Sequence, residues 1–287
     1  MTDIQRQLII QALAEDSTGR DATTLATVDR NEMGRAYFLA KAQGILSGID
    51  IATEVFSIYA TRSNRESKII TQHLVRDGSA VKHGDRIAEV HAPLDIILTA
   101  ERVALNLLQR MSGIATLTNK YVRAVSGTNA KILDTRKTAP LLRPFDRQAV
   151  LSGGGKNHRY SLAEMILVKD NHIAANGGDI IAVLEKLRSY FKTHPLIPVE
   201  IEVTSTHQLQ IVLEHGRRLV NRVLLDNFLV ADLHEAVKVN ARAFETEASG
   251  GVNLTTVRAI AETGVDYISV GALTHSVTGL DISLEVE

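Results

Sequence analysis

From about residue 130 onward the chain repeats one rhythm: a short apolar run, a polar or glycine-rich break, then in most cases an amphipathic stretch. The runs are Ile132-Leu133, Ile166–Val168, Val199–Val203, Val223–Leu225, Phe244–Ala248 and Tyr267–Val270. Helical spacing fills Ile180–Tyr190, His207–His215 and Leu254–Thr263 between them. Parallel strands need such crossovers, because strands running the same way cannot be joined by a tight turn. The rhythm predicts a parallel sheet and a (β/α) barrel, complete or one to two strands short. A doubly wound open sheet is the alternative, but no G-x-G-x-x-G comes after any of these runs.

The first hundred residues alternate in character. Ile4, Leu8, Ile9, Ala12 and Leu13 recur at helical spacing, stopped by Asp16 and Gly19. Strand-like runs come next at Ala36–Ala40, Lys68–Val75 and Arg86–Val90, punctuated by Asp77-Gly78, His83-Gly84 and Pro93. A helix is predicted from Ile49 to Tyr59, between the first two strands. This is the pattern of a small sheet with helices on one side. A long helix from Thr99 to about Val125 presents Val103, Leu107, Met111, Ile114 and Leu117 as its apolar face, with Gly113 weakening its middle.

Composition narrows the function classes. With no cysteine, disulfide scaffolds, zinc–thiolate sites and thiol nucleophiles are excluded. The 32 basic and 33 acidic side chains leave a formal charge of −1, which argues against general nucleic-acid or membrane-surface binding. The start lacks a basic stretch followed by an apolar one, and no run approaches the length of a membrane span. A cytoplasmic protein is expected.

The residues just after each strand form the most informative pattern. Ile132-Leu133 leads into Asp134-Thr135-Arg136-Lys137, Ile166–Val168 into Lys169-Asp170-Asn171-His172, and Val223–Leu225 into Asp226-Asn227. Val199–Val203 carries Glu200 and Glu202, which alternation puts on one face. Ser249-Gly250-Gly251 and Gly271 come after the last two runs. In βα folds the C-terminal strand ends gather at one face, and the active site lies there. Arg136, Lys137, Arg159, Lys169 and His158 would then form a basic cluster suited to a substrate with several negative charges. Glu202 and Asp226 suit Mg²⁺ beside phosphates, or sugar hydroxyls. The glycines, with a helical pattern starting near Asn253, suit a phosphate at a helix N-terminus. Gly153-Gly154-Gly155-Lys156 is not a nucleotide loop and reads as a turn placing His158 and Arg159. His172 and His275 lie near the inferred pocket; the other histidines read as ordinary surface or core residues.

Leu133-Asp134-Thr135-Arg136-Lys137-Thr138, Gly153-Gly154-Gly155 with Asn157-His158-Arg159, and Val168-Lys169-Asp170-Asn171-His172 resemble the signature of the quinolinate phosphoribosyltransferases. Ala100-Glu101-Arg102 to Asn106, Ser112–Thr116, Leu225-Asp226-Asn227 and Glu247–Gly251 match as well, so the likeness runs along nearly the whole chain. It implies the α/β fold of type II phosphoribosyltransferases: an N-terminal α/β sandwich domain over residues 1–112 plus an incomplete (β/α) barrel over 113–272, with 273–287 packing back on the first domain. It implies transfer of phosphoribosyl from phosphoribosyl pyrophosphate (PRPP) to quinolinate with Mg²⁺, giving nicotinate mononucleotide, pyrophosphate and CO₂ in NAD biosynthesis. By resemblance, Arg136, His158 and Arg159 hold the quinolinate carboxylates with Lys137 and Lys169 nearby. Glu202 and Asp226 contact the ribose and metal side, and these two acids with the two lysines form the catalytic set. Ser249, Gly250, Gly251 and Gly271, flanked by Val270 and Ala272, take the 5′-phosphate. Arg102 enters the partner subunit's site, so the active unit is expected to be a homodimer or a higher oligomer.

The chain departs from the family pattern at three places. Leu141 follows Pro140 where glycine is usual, Tyr160-Ser161-Leu162-Ala163 replaces a glycine-containing turn, and Glu15–Asp21 is looser than usual. Two other functions compete. One is a related phosphoribosyltransferase acting on nicotinate or another acid; the other is a silent barrel that senses phosphorylated ligands. Two arginines with a histidine favour a dicarboxylate.

Overall fold

The computed structural model describes the chain except Ser17, Asn31, Asn64 and residues 66–68. In order, its elements are α1 (Asp3–Glu15), α2 (Ala22–Thr27), β1 (Met33–Ala40), β2 (Gly44–Ile45), α3 (Ile49–Arg62), β3 (Ile70–His73), β4 (Ala80–Val81), β5 (Arg86–Pro93), α4 (Leu94–Ala124) and β6 (Lys131–Leu133). They continue with α5 (Arg143–Ser152), β7 (Ile166–Val168), α6 (Asp170–Ala174), α7 (Ile180–Tyr190), β8 (Val199–Val203), α8 (Thr206–His215) and β9 (Arg222–Asp226). The last are α9 (Val230–Asn240), β10 (Glu245–Ser249), α10 (Val257–Glu262), β11 (Tyr267–Ser269), α11 (Ala272–His275) and β12 (Ile282–Val286).

The chain divides into two compact units. The first comprises Met1–Asn119, Thr138–Gly154 and Leu273–Glu287. Its main sheet runs β12-β1-β5-β3 and is antiparallel throughout. Alternation in β1 buries Ala36, Phe38 and Ala40, and the register sets Phe38 beside Leu284 on one side and Ala88 on the other. Helix α3 buries Phe56, whose ring lies 6.1 Å from that of Phe38. Helix α1 opens with a reciprocal cap between Thr2 and Gln5 and buries Ile9 and Leu13. This is the α/β sandwich expected from the sequence. The division differs from a cut at residue 112, because α5 belongs to this unit. Asp146 of α5, fully buried, receives two hydrogen bonds from Arg110 at 2.8 Å, and Gln148 accepts one from Gln5. Of the expected strand Lys68–Val75, Ile70–His73 forms and Lys68 lies outside the described residues, as does Ser17 of the Glu15–Asp21 departure.

The second unit comprises Lys120–Lys137 and Gly155–Ala272. Its six strands run parallel in the order β6-β11-β10-β9-β8-β7. Among the described residues no ladder joins β6 to β7, so the barrel is incomplete. Even-numbered residues of β8 and β9 and odd-numbered residues of β10 and β11 share the inner face. Val223, Ala248 and Ile268 face the covering helices and are buried. Each expected strand forms within a residue or so. Helix α10 is shorter than expected, because Asn253 ties up the backbone N–H groups of Thr255 and Thr256 in a turn before it.

Long helix α4 begins at Leu94, five residues before the expected start (99 minus 94), and is buried on more than one side. Its Ser112-Gly113-Ile114-Ala115-Thr116 stretch explains itself in contacts. The Ser112 and Thr116 hydroxyls accept hydrogen bonds from the backbone N–H groups of Ser47, just beyond β2, and of Ile45 within it. Gly113, read as a weak point, is where the C-terminal segment crosses: a Cβ there would stand 2.1 Å from the Thr278 carbonyl oxygen. Alanine is favoured over glycine by about 1 kcal/mol in a helix interior. Gly113→Ala is nevertheless expected to destabilise by about 1–3 kcal/mol, because backbone is what it would strike. Denaturant unfolding reads this directly, and a stabilised variant would contradict the contact.

Candidate active site

The two arginines expected to hold carboxylates come from different segments of the second unit. Arg136 lies three residues beyond β6, and Arg159 lies on the loop that leads to β7. Both are half-buried. Burial, and after it the Arg136 guanidinium, hold Arg159 below the usual arginine range, and the His158 N–H bond to Asp134 joins their two segments. Like charges converge in this way where an anion is to be bound. Arg159 is oriented by donating to the Met165 carbonyl at 2.8 Å. Lys137 and Lys169 are exposed at the ends of β6 and β7.

Expected beside them as a carboxylate holder, His158 is found turned into the barrel. Its Nε2 lies 2.9 Å from Glu200 Oε2 and 3.5 Å from Glu247 Oε2, and only 7% of the side chain is exposed. Its backbone N–H donates to Asp134 at 2.6 Å, and its Nδ1 accepts the Arg159 N–H at 2.7 Å. In the neutral ring, that last bond leaves Nε2 as the nitrogen that donates to the carboxylates. Burial works against a charged ring, but the hydrogen bonds to Glu200 and Glu247 outweigh it and push His158 up to about 9. Burial, with Glu247 next, pushes Glu200 up to about 7. Glu247 moves the other way: burial opposes its charge, while His158 and Arg222 hold it below the usual range. Arg222 donates to Glu247 at 2.9 Å and lies over the Tyr267 ring at 4.0 Å.

Higher on the inner face, Glu202 and Asp226 stand at the C-terminal ends of β8 and β9. Burial raises the Glu202 carboxyl, against the Asp170 N–H, and Asp226 raises it further. Lys169 partly offsets this. Register pairs Asp226 with Ser249. Beyond Ser249 the backbone turns through Gly250 and Gly251 at φ +89° and +62°, and a Cβ on Gly250 would stand 2.1 Å from Asn227 Oδ1. Glycine is required by both conformation and space. The Ser249–Gly251 segment is therefore a left-handed turn, and the next helix begins only at Val257. Val270 is buried, donating to the Leu133 carbonyl, and Gly271 and Ala272 come after it half-buried. Arg102 is exposed on α4 in the first unit. Leu141 takes φ +67°, in the left-handed region that favours glycine.

Two groups of acids offer oxygen ligands to a cation. His158, Glu200 and Glu247 bring ligand atoms within 4.8 Å of one another, but His158 and Arg222 already neutralise them. Glu202 and Asp226 are the oxygen pair at the mouth and fit the oxygen preference of Mg²⁺.

Two family descriptions cover nearly all of the chain: "Quinolinate phosphoribosyl transferase, N-terminal domain" over residues 21–112, and its C-terminal domain over residues 114–285. The chain belongs to the quinolinate phosphoribosyltransferase family. A mitochondrial quinolinate phosphoribosyltransferase [decarboxylating] of Nicotiana glauca is 42% identical over 98% of this chain and 82% of its own. A nicotinate-nucleotide pyrophosphorylase [carboxylating] of Mycobacterium leprae is 41% identical over 99% and 98%. The crystal structure of NadC from Streptococcus pyogenes superposes with a TM-score of 0.91 at 34% identity, over 100% of this chain and 98% of that one. No helix among the described residues is long and apolar enough to cross a membrane.

Within this family fold, the residues that sequence reasoning missed are Arg222 and Glu247. Their signal was present: Glu245 and Glu247 alternate with Thr246 and Ala248, as Glu200 and Glu202 alternate with apolar neighbours. Acids at period two in a barrel strand mark a charged inner face. The cluster also has a pH signature. A histidine whose folded value is raised contributes stability that is present below its unfolded value and lost as pH rises through the folded one. The advantage of the native chain over His158→Gln is therefore expected to shrink as pH rises from 6.5 through about 9. Denaturant unfolding at a series of pH values checks this; an advantage that grows over that range would contradict it.

Proposed function

We propose that this chain transfers the phosphoribosyl group of PRPP to quinolinate and decarboxylates the product, yielding nicotinate mononucleotide, pyrophosphate and CO₂. The observation that carries the reading is that the 2.6 Å bond from the His158 N–H to Asp134 joins the segments bearing Arg136 and Arg159, in the unit where Glu202 and Asp226 stand at the C-terminal ends of β8 and β9. A doubly anionic pyridine answers the two guanidinium groups, each suited to bidentate pairing with a carboxylate. The Ser249-Gly250-Gly251 turn offers backbone N–H groups to the 5′-phosphate, with Val270, Gly271 and Ala272 completing that end of the site.

The pyridine nitrogen attacks C1 of the ribose as pyrophosphate departs, through a transition state with oxocarbenium character like that of glycoside cleavage. Glu202 and Asp226 stabilise the positive charge that develops on the sugar. They are also the residues that would hold Mg²⁺, which when bound would neutralise the pyrophosphate leaving group. Lys137 and Lys169 add positive charge at the rim for the substrate's anionic groups. Once the ring nitrogen is quaternary it accepts electron density, so the C2 carboxylate can leave as CO₂. Arg136 and Arg159 orient that group, while His158 acts from behind, through the Arg159 backbone.

Purified protein with both substrates is expected to release pyrophosphate and CO₂ from quinolinate and PRPP in a Mg²⁺-dependent manner. Preference for nicotinate would contradict the reading. Arg136→Ala is expected to raise the quinolinate KM by the equivalent of about 2–5 kcal/mol while moving the PRPP KM far less.

The active unit in this reading is a homodimer in which exposed Arg102 completes the partner's site. Arg102→Ala and Arg136→Ala, each inactive at low quinolinate, should then complement when subunits are exchanged. A heterodimer carries one site with both defects and one with neither, so random mixing restores about a quarter of native activity. No recovery after demonstrated exchange would place Arg102 in its own subunit's site or in none.

A further inference from the structure

Glu247 sits at the middle of β10 with no exposed surface, on the inner face beside Leu224 of β9 and Tyr267 of β11. Burying a carboxylate, an imidazole and a guanidinium together is not a route to extra stability, since a well-packed apolar cluster of similar volume commonly serves as well or better. Glu200 Oε1, in the same cluster, is moreover buried without any hydrogen-bond donor. Such a cluster is retained for what it orients.

What it orients can be traced atom by atom. Arg222 is fixed by Glu245, at 3.0 and 3.2 Å, and by the face of Tyr267. Its third contact, 2.9 Å to Glu247 Oε2, fixes that carboxylate, and the same oxygen faces His158 Nε2. With Nε2 anchored, Nδ1 points at the Arg159 N–H, and the His158 backbone is held by Asp134, two residues from Arg136. The Arg159 backbone thus depends on the imidazole and the Asp134–Arg136 turn on the His158 backbone, while the ring itself is held by Glu200 at 2.9 Å and by Glu247 at 3.5 Å.

We propose that Glu247, clamped by Arg222, is a positioning residue for quinolinate: with Glu200 it fixes the His158 ring and, through Nδ1, the placement of Arg159. This rests on the function proposed above. Neither residue is among those expected to touch a substrate, and Glu247 acts without contacting one.

The test uses Glu247→Gln and Arg222→Lys in the full-length protein. Each should raise the quinolinate KM about tenfold to a hundredfold, the effect of a small misplacement of binding groups, with the PRPP KM within about twofold of native. A purely structural role would lower kcat through loss of folded enzyme and leave both KM values alone, and that result overturns the proposal. Ring ¹⁵N spectra of His158 supply a readout independent of turnover. Above about pH 9, where the ring is neutral, the native protein should show one fixed tautomer with its proton on Nε2, and the variants should show exchange between tautomers. A native His158 that already exchanges freely overturns the proposal even if neither variant folds. Native enzyme that releases no pyrophosphate from quinolinate and PRPP would defeat the function and leave the spectra to judge the positioning.

Discussion

A carboxylate in the middle of a protein must be neutralised where it stands, because the Coulomb attraction to a neighbour is what replaces lost hydration. In the second unit that constraint organises the site. Glu200 and Glu247 are both fully buried, Arg222 is spent on one of them, and His158 bridges to both. The imidazole is thereby used up on its inner side, and its remaining nitrogen and its backbone reach Arg159 and Asp134. Arg159 at the mouth is oriented by a neutral carbonyl, a contact that leaves its charge uncancelled. The buried acids thus draw on His158 and Arg222, and the Arg159 guanidinium is not spent on them.

The first unit solves a different problem with the same economy of partners. Helix α4 is buried widely, so its polar positions have to answer backbone groups. Ser112 and Thr116 serve the short β2 segment, Arg110 serves Asp146 of α5, and Gly113 yields its side-chain space to the C-terminal segment. That segment goes on to form β12, the strand beside β1. The helix is a hub for pieces far apart in sequence, which is why a compact-unit division does not follow a single cut in the chain.

Much of the fold was legible from period and punctuation. Buried parallel strands read as short apolar runs, and β7 and β8 fall on the expected residues, as does α7. Elements of two residues, such as β2 and β4, carry too little periodicity to be seen. Helix α5 was missed because Arg143-Pro144-Phe145-Asp146 resembles a loop, and its helical state depends on tertiary bonds from Arg110 and Gln5. In the site, the mouth residues were legible because they stand directly after strands. The turned-in ring of His158 and the supporting pair Arg222 and Glu247 were not, because which nitrogen faces which acid is a property of three dimensions. Gly250 and Gly251 form a left-handed turn, and the helical pattern read as starting near Asn253 begins only at Val257.

The central claim is that a rim of positive charge, propped from inside by a neutralised cluster, grips a pyridine bearing two carboxylates. A crystal structure of the protein with quinolinate bound tests it most directly. The account predicts that both carboxylates lie within hydrogen-bond distance of the Arg136 and Arg159 guanidinium groups, with His158 still turned toward Glu200 and Glu247. Quinolinate seated elsewhere, or a His158 ring swung out to contact it in place of Arg159, would contradict the account.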